Sequence, residues 1–342
     1  MPWHLTQSSA FRDILAEPVA PWLTLRFIPW SEAAAAPSDG VALCSLEEPM
    51  VFCQVPPPLD ALRVAGGKVV WVAMCDQAAG YTQEWWNELP KTLRILAFSR
   101  AVSQRATQAG LQTLEVQYHI DVARLAPAVW DSSISLLYWN RTGLVSPGFL
   151  KELCAIFKID HLYFRGDVDP GVPADAYYRL PRRLGRTRVH DVSGITTRDE
   201  YLEVLQRCNL FLAPRNLEGV GLSYLEAMAA GCAVIAFDGP TMNEYIRHGV
   251  NGLLARDAEP GLLQRLAARA APARAVSAGG AGARGAEAAR PACQLLDHCD
   301  RRALGHRRAL RRIGDEARRS ERLGFARWEA QRQAIADFIL DW

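Results

Sequence analysis

Residues 209–254 read NLFLAPRNLEGVGLSYLEAMAAGCAVIAFDGPTMNEYIRHGVNGLL. The apolar run Asn209–Pro214 has the length and composition of a buried strand. A loop carrying Glu218, Gly219, Val220 and Gly221 follows it. Next come an apolar helix, Leu222–Ala230, stopped by Gly231, and a second buried strand, Cys232–Asp238. Short apolar strands on either side of a helix mark a parallel sheet covered on both faces.

Glycines directly before a helix let backbone N–H groups come close to an anion, and the helix start adds about half a unit of positive charge. The loop therefore reads as a phosphate or pyrophosphate cradle at the carboxyl edge of a sheet. Glu218 and Glu226 frame it. Carboxylates beside such a cradle repel phosphate. They do accept hydroxyl hydrogen bonds, which suits a vicinal diol on a ribose or a hexose. The spacing suggests a sugar nucleotide. Other readings stay open at this point. Ser223 and Glu226 also fit a capping box, in which Glu226 would only close the helix start. Glu218 could be a solvated loop residue. Gly219-x-Gly221, with Asp238 as a ribose acceptor, is similar to a dinucleotide fingerprint, although Tyr224 stands where the third glycine belongs.

Over these positions the chain resembles the donor-binding region of retaining GT-B glycosyltransferases of the group 1, or family 4, type. Glu218 and Glu226 resemble that family's EX7E motif, and the frame EGVG…LEAMAAG…NEYIRHGVNGLL is similar around them. The resemblance implies that Glu218 contacts hydroxyls of the transferred sugar and Glu226 holds the nucleotide's ribose. It implies that backbone around Gly219, Val220, Gly221 and Leu222 holds the diphosphate. Glu244 stands at the family's later acidic position and reads as structural, capping its own helix.

Upstream, Leu137–Arg141 (LYWNR) resembles the first strand of the family's donor domain, which makes Arg141 the candidate for the diphosphate. The family's lysine about five residues later is missing here, since Ser146 and Pro147 stand in its place. Arg215, in a Pro–Arg where the family commonly has Pro–Ser, is the candidate substitute cation, with Lys151 as another. The first domain departs further. The chain starts at what reads as the helix after the family's first strand, Ser8–Leu15. Where many members carry a His after a strand, Met74–Cys75–Asp76 stands. Asp76 is a catalytic candidate by that position, or a strand-end turn residue. His119, before the crossover between domains, reads as structural.

The rest of the chain repeats the strand–helix pattern. Trp22–Ile28, Met50–Val55, Lys68–Met74 and Ile95–Ser99 read as strands of a first domain. Ile134–Trp139 and Asp160–Arg165 read as strands of a second, with helices from Pro147 and from a Thr197–Glu200 capping box. The expected fold class is α/β, GT-B, with two Rossmann-like domains facing across a cleft. The expected division is an acceptor-side domain over 1–130, short at its start, a donor domain over 131–324, and a helix over 325–342 crossing back to the first. Residues 267–294, mostly Ala, Gly and Arg, break the pattern. They read as an Ala-rich surface linker or as a GC-rich gene out of frame, so that 267–313 is expected to be irregular.

Composition excludes several classes. With 342 residues, 49% hydrophobic and 22% charged, the chain is too ordinary for a disordered protein. No apolar run approaches the roughly 20 residues of a membrane helix. No basic segment followed by an apolar core opens the chain, so no secretory signal is expected. The eight cysteines form no CxxC pair, which points to a reducing, cytoplasmic setting without zinc or disulfides. The net charge of +2 hides a tail, 262–333, with 16 Arg against seven acids. That tail gives no ground for a nucleic-acid partner. Arg182, Arg183, Arg186 and Arg188 form a loop cluster, read as a solvated face or as a site for an anionic membrane or lipid-diphosphate acceptor.

By the resemblance, the expected function is retaining transfer of a sugar from a nucleotide-diphosphate sugar to a glycan or lipid-linked acceptor in surface polysaccharide synthesis. The protein would work in the cytoplasm with peripheral contact at the inner membrane surface. No metal or cofactor is implied, because the donor is a substrate. A sugar-nucleotide epimerase and a non-catalytic or damaged GT-B relative are the alternatives.

Overall fold

The computed structural model describes residues 11–25, 49–57, 68–169, 172, 176–255 and 299–342, with the side chains of 13 and 299–305 left aside. Two sheets organise these residues. The first holds β1 (Met50–Gln54), β2 (Val69–Ala73), β3 (Arg94–Ala97) and β4 (Gln112–Glu115), all parallel and in chain order. Helices α1 (Cys75–Ala78), α2 (Gln83–Glu88) and α3 (Arg100–Gln108) lie between its strands.

The second sheet holds β5 (Ser135–Trp139), β6 (His161–Arg165), β7 (Arg183–Leu184), β8 (Thr187–Asp191), β9 (Leu210–Leu212), β10 (Ala233–Phe237) and β11 (Leu253–Ala255). Its order is β11-β10-β9-β5-β6-β8-β7, parallel except for β7. Its helices are α4 (Pro147–Ile156), α5 (Arg198–Gln206), α6 (Leu222–Ala230) and α7 (Met242–Tyr245). From β5 the chain moves outward through β6 to β8, then returns to β5's other side with β9. The order reverses between β5 and β9, and ligands in such sheets bind beyond the carboxyl ends of the strands flanking that reversal. The loops after β5 and β9 carry Arg141 and Arg215–Gly221.

Alternation along the strands builds three apolar layers. Val70 and Val72 of β2 face one way, while Val69, Trp71 and Ala73 face the outer helices with Trp86. In the second sheet, Leu137, Phe211 and Val234 join the same cluster as Val70, whereas Leu136, Leu210 and Ile235 pack outward. One apolar cluster is thus continuous from the first sheet through Val116, Tyr118 and Ile120 to α6.

The last element, α8 (Cys299–Leu340), is one helix of 42 residues. Its Leu310 and Ile313 complete the second domain's outer layer, and its Trp328, Ile335 and Ile339 join the shared cluster. Arg94 of β3 donates to the Phe338 carbonyl at 2.9 Å, which ties the end of this helix to the first sheet.

Three expectations need correction. Trp22–Leu25 is not strand, and the rest of that stretch, 26–28, lies outside the described residues. Residues 299–313, expected to be irregular, are helical, and the crossing helix starts at Cys299 rather than near 325. The apolar set of this Arg-rich helix is thin, which leaves its period faint in the sequence. Residues 267–298 lie outside the described residues.

Candidate functional site

Helix α6 starts and stops on glycines in the left-handed region, Gly221 at φ 80 and Gly231 at φ 85. Gly221 also has no room for a side chain: a Cβ there would lie 1.9 Å from the Tyr224 ring. Among the described residues no side chain caps the helix start, so Ser223 and Glu226 form no capping box. The N–H groups of the first turn are left facing the loop, as an anion cradle requires.

Glu218 is buried, at 5% exposure, and its Oε1 has no hydrogen-bond partner among the described residues. Its carbonyl accepts from the Thr241 hydroxyl at 2.8 Å. Thr241 holds φ 75 and ψ −60, a conformation rare for a β-branched residue, so backbone strain is stored where the loop is anchored. Burial pushes the Glu218 carboxyl from its ordinary 4.5 up to about 6; Arg141 and Arg215 pull it down, while Asp76 and Asp169 add to the rise.

The sign of this shift fixes a pH dependence. Folded Glu218 binds its proton more tightly than unfolded, so stability falls as pH rises from about 4.5 to about 6. The full penalty, about 2 kcal/mol, is present above that window. Glu218→Gln removes it. Urea unfolding of both proteins at pH 4 and pH 7 is expected to show the variant gaining about 2 kcal/mol on the parent between the two. A pH-independent difference would sink the burial argument.

Arg141 donates from Nε to Asp169 Oδ1 at 2.9 Å, and its guanidinium lies 4.9 Å from the Trp139 ring centre. Arg215 donates to Asp169 Oδ2 and, at 3.3 Å, to Asp76 Oδ2. Asp76 opens α1 at the carboxyl end of β2, so this last pair joins the two domains across their facing edges. A Cβ on Gly219 would sit 3.1 Å from Asp76 Oδ1, which shows how close the cradle comes to the first domain. The structure therefore brings Arg141, Arg215, Glu218 and Asp76 together. Lys151 is exposed on α4, and Ser146, in the missing lysine's place, caps α4 by accepting from Phe149 N.

Glu226 is also buried, and Arg198 of α5 grips its Oε1 from Nε at 3.1 Å and from Nη2 at 2.8 Å. This pairing fixes the carboxylate at the α5–α6 side of the cradle. Glu244 caps a helix, but not its own: both its oxygens accept from Arg100 N at 2.9 Å, at the start of α3 in the first domain. His119 is buried against α8, with Nδ1 3.3 Å from Glu321. Of the arginine cluster, Arg183 and Arg188 lie in the strands of the β7–β8 hairpin, Arg186 lies in its turn, and Arg182 directly precedes β7. Arg188 is the strand neighbour of His161, at the amino end of the sheet and opposite the cradle. Asp169 and Arg198 were missed in the sequence, because their partners lie 28 or more positions away.

Among the described residues there is no cluster of three metal-ligating side chains, and no helix is long and apolar enough to cross a membrane.

The architecture is found in solved structures. Anabaena HepE, solved with UDP-glucose, superposes with a TM-score of 0.54 at 18% identity over 95% of this chain and 88% of that one. Sucrose-phosphate synthase from Thermosynechococcus elongatus gives 0.54 at 16% identity over 91% and 79%. A glycosyltransferase from Rickettsia africae gives 0.55 at 14% identity over 93% and 85%. The fold is GT-B, two Rossmann-like domains facing across a cleft. Residues 182–270 match the family described as glycosyl transferases group 1. No curated protein sequence matches the chain.

Proposed function

We propose that this protein is a retaining glycosyltransferase that moves a sugar from a nucleotide-diphosphate sugar to a glycan or lipid-linked acceptor, in the synthesis of surface polysaccharide. The observation that carries the reading is Glu218: a buried carboxylate with an unpartnered oxygen, set beside two arginines at the open start of α6. A buried acceptor left unsatisfied is costly unless a ligand completes it. Sugar hydroxyls do so. Anabaena HepE has been solved with UDP-glucose, which supports a nucleotide-sugar donor here.

In this reading Glu218 accepts hydrogen bonds from the transferred sugar, and Glu226, oriented by Arg198, accepts them from the ribose. The backbone of Gly219–Leu222, with Arg141 and Arg215, meets the charge that develops on the departing diphosphate. Asp76 brings a carboxylate of the first domain to the same place. The acceptor enters from the first domain's side. The protein works in the cytoplasm, with peripheral contact at the inner membrane surface.

The test is to incubate the protein with labelled UDP- and GDP-sugars and candidate acceptors, following binding, transfer and the anomeric configuration of the product. Transfer with retention supports the proposal. Release of a free epimerised nucleotide sugar would make it an epimerase, and donor binding without turnover on any acceptor would make it a non-catalytic relative.

A further inference from the structure

Asp169 lies outside every motif described above, yet it is the junction of the site. Its backbone N–H donates to the Arg141 carbonyl at 2.8 Å, which clips the segment after β6 to the segment after β5. The Thr142 hydroxyl donates to the Pro214 carbonyl at 3.3 Å, which clips the β5 loop to the β9 loop. These clips place Arg141 and Arg215 side by side. Asp169 then takes one guanidinium on each oxygen, Arg141 on Oδ1 and Arg215 on Oδ2. Both arginines and Asp169 are mostly buried, with side-chain exposures of 15%, 23% and 16%.

Two guanidiniums this close repel one another unless an anion lies between them. Asp169 supplies that anion and keeps most of the donors open. A guanidinium has five N–H donors. Arg141 engages Asp169 only through Nε, and its terminal nitrogens bond no described residue. Arg215 keeps a buried Nε without a partner among the described residues. Glu218 Oε1, unpartnered and buried, faces the same charge field. Such unspent donors, on two forks held in one frame, match a ligand with several anionic oxygens.

We propose that Asp169 is a positioning residue that aligns Arg141 and Arg215 into a paired-guanidinium receptor for the donor's diphosphate, with Arg215 replacing the lysine this chain lacks. The proposal rests on the nucleotide-sugar reading for the identity of the ligand, but its anion site can be probed alone.

The test uses the full chain and inorganic pyrophosphate, with UDP and uridine in parallel, by calorimetric titration. Asp169→Asn keeps the size and removes the charge that orders the two forks. The expected result is a loss of about tenfold in pyrophosphate and UDP affinity with uridine binding unchanged, a selectivity that general unfolding would not give. Should Asp169→Asn lose its fold by circular dichroism, Arg215→Gln is titrated instead, with the same diphosphate-selective loss expected. Two results overturn the proposal: pyrophosphate binding equal or tighter in the variant, which would make Asp169 only a competitor, or no binding of pyrophosphate to the parent protein. If pyrophosphate behaves as expected while no nucleotide sugar binds, the receptor stands and the donor reading falls.

Discussion

Glu226→Ala is expected to weaken nucleotide-sugar binding by about 10- to 100-fold while leaving the fold intact. A carboxylate that accepts ribose hydroxyls makes charge-assisted bonds, each worth about 1.5–3 kcal/mol when its partner is left unpaired. The fold should tolerate the loss. Arg198, the partner left behind, has 44% of its side chain exposed and rehydrates when the carboxylate goes. Titration of UDP and GDP sugars against parent and variant checks this, with thermal unfolding as the control. Equal affinities would remove the ribose assignment from Glu226. A large drop in melting temperature would mean that the Arg198 pair is a structural strut.

Gly221→Ala is expected to destabilise the protein by about 3 kcal/mol, because two costs fall on one atom. Backbone at φ 80 costs a non-glycine residue about 1 kcal/mol. The new Cβ would also lie 1.9 Å from the ring of Tyr224, a side chain with no exposure and no room to turn. Overpacking of that kind adds about 1–3 kcal/mol. For a chain of this length the melting temperature should fall by about 4 °C. Gly110→Ala is the internal control: it has φ 72 but nothing within 4 Å, so only the backbone cost applies. If the two variants melt together, the contact with Tyr224 is not the constraint.

Much of the donor side was legible because its signals are local. The glycines at both ends of α6 mark that helix at its observed limits, Leu222–Ala230, and the Thr197–Glu200 box caps α5 as its spacing implies. The carboxyl-edge cradle followed from the same few residues. What escaped is what is non-local. Arg215 meets Asp76 across 139 positions, and Glu244 meets Arg100 across 144. No window of sequence holds both members of either pair. The β7–β8 hairpin escaped for another reason. Its strands are short and rich in arginine, so charge obscured the Gly185–Arg186 turn, although Gly185 at φ 62 is the residue such a turn calls for.

At about 1.5 Å per residue, α8 is a rod roughly 60 Å long that completes two cores at once. It closes the second domain's outer layer with Leu310 and Ile313 and the shared cluster with Ile335 and Ile339. Neither domain is then an independent melting unit. Pulling α8 off one opens the other, so heat should dissolve both in a single calorimetric transition with no half-folded species populated between. Two separated peaks would show that the rod is dispensable to one of them. The two halves share one fate because a single helix belongs to both.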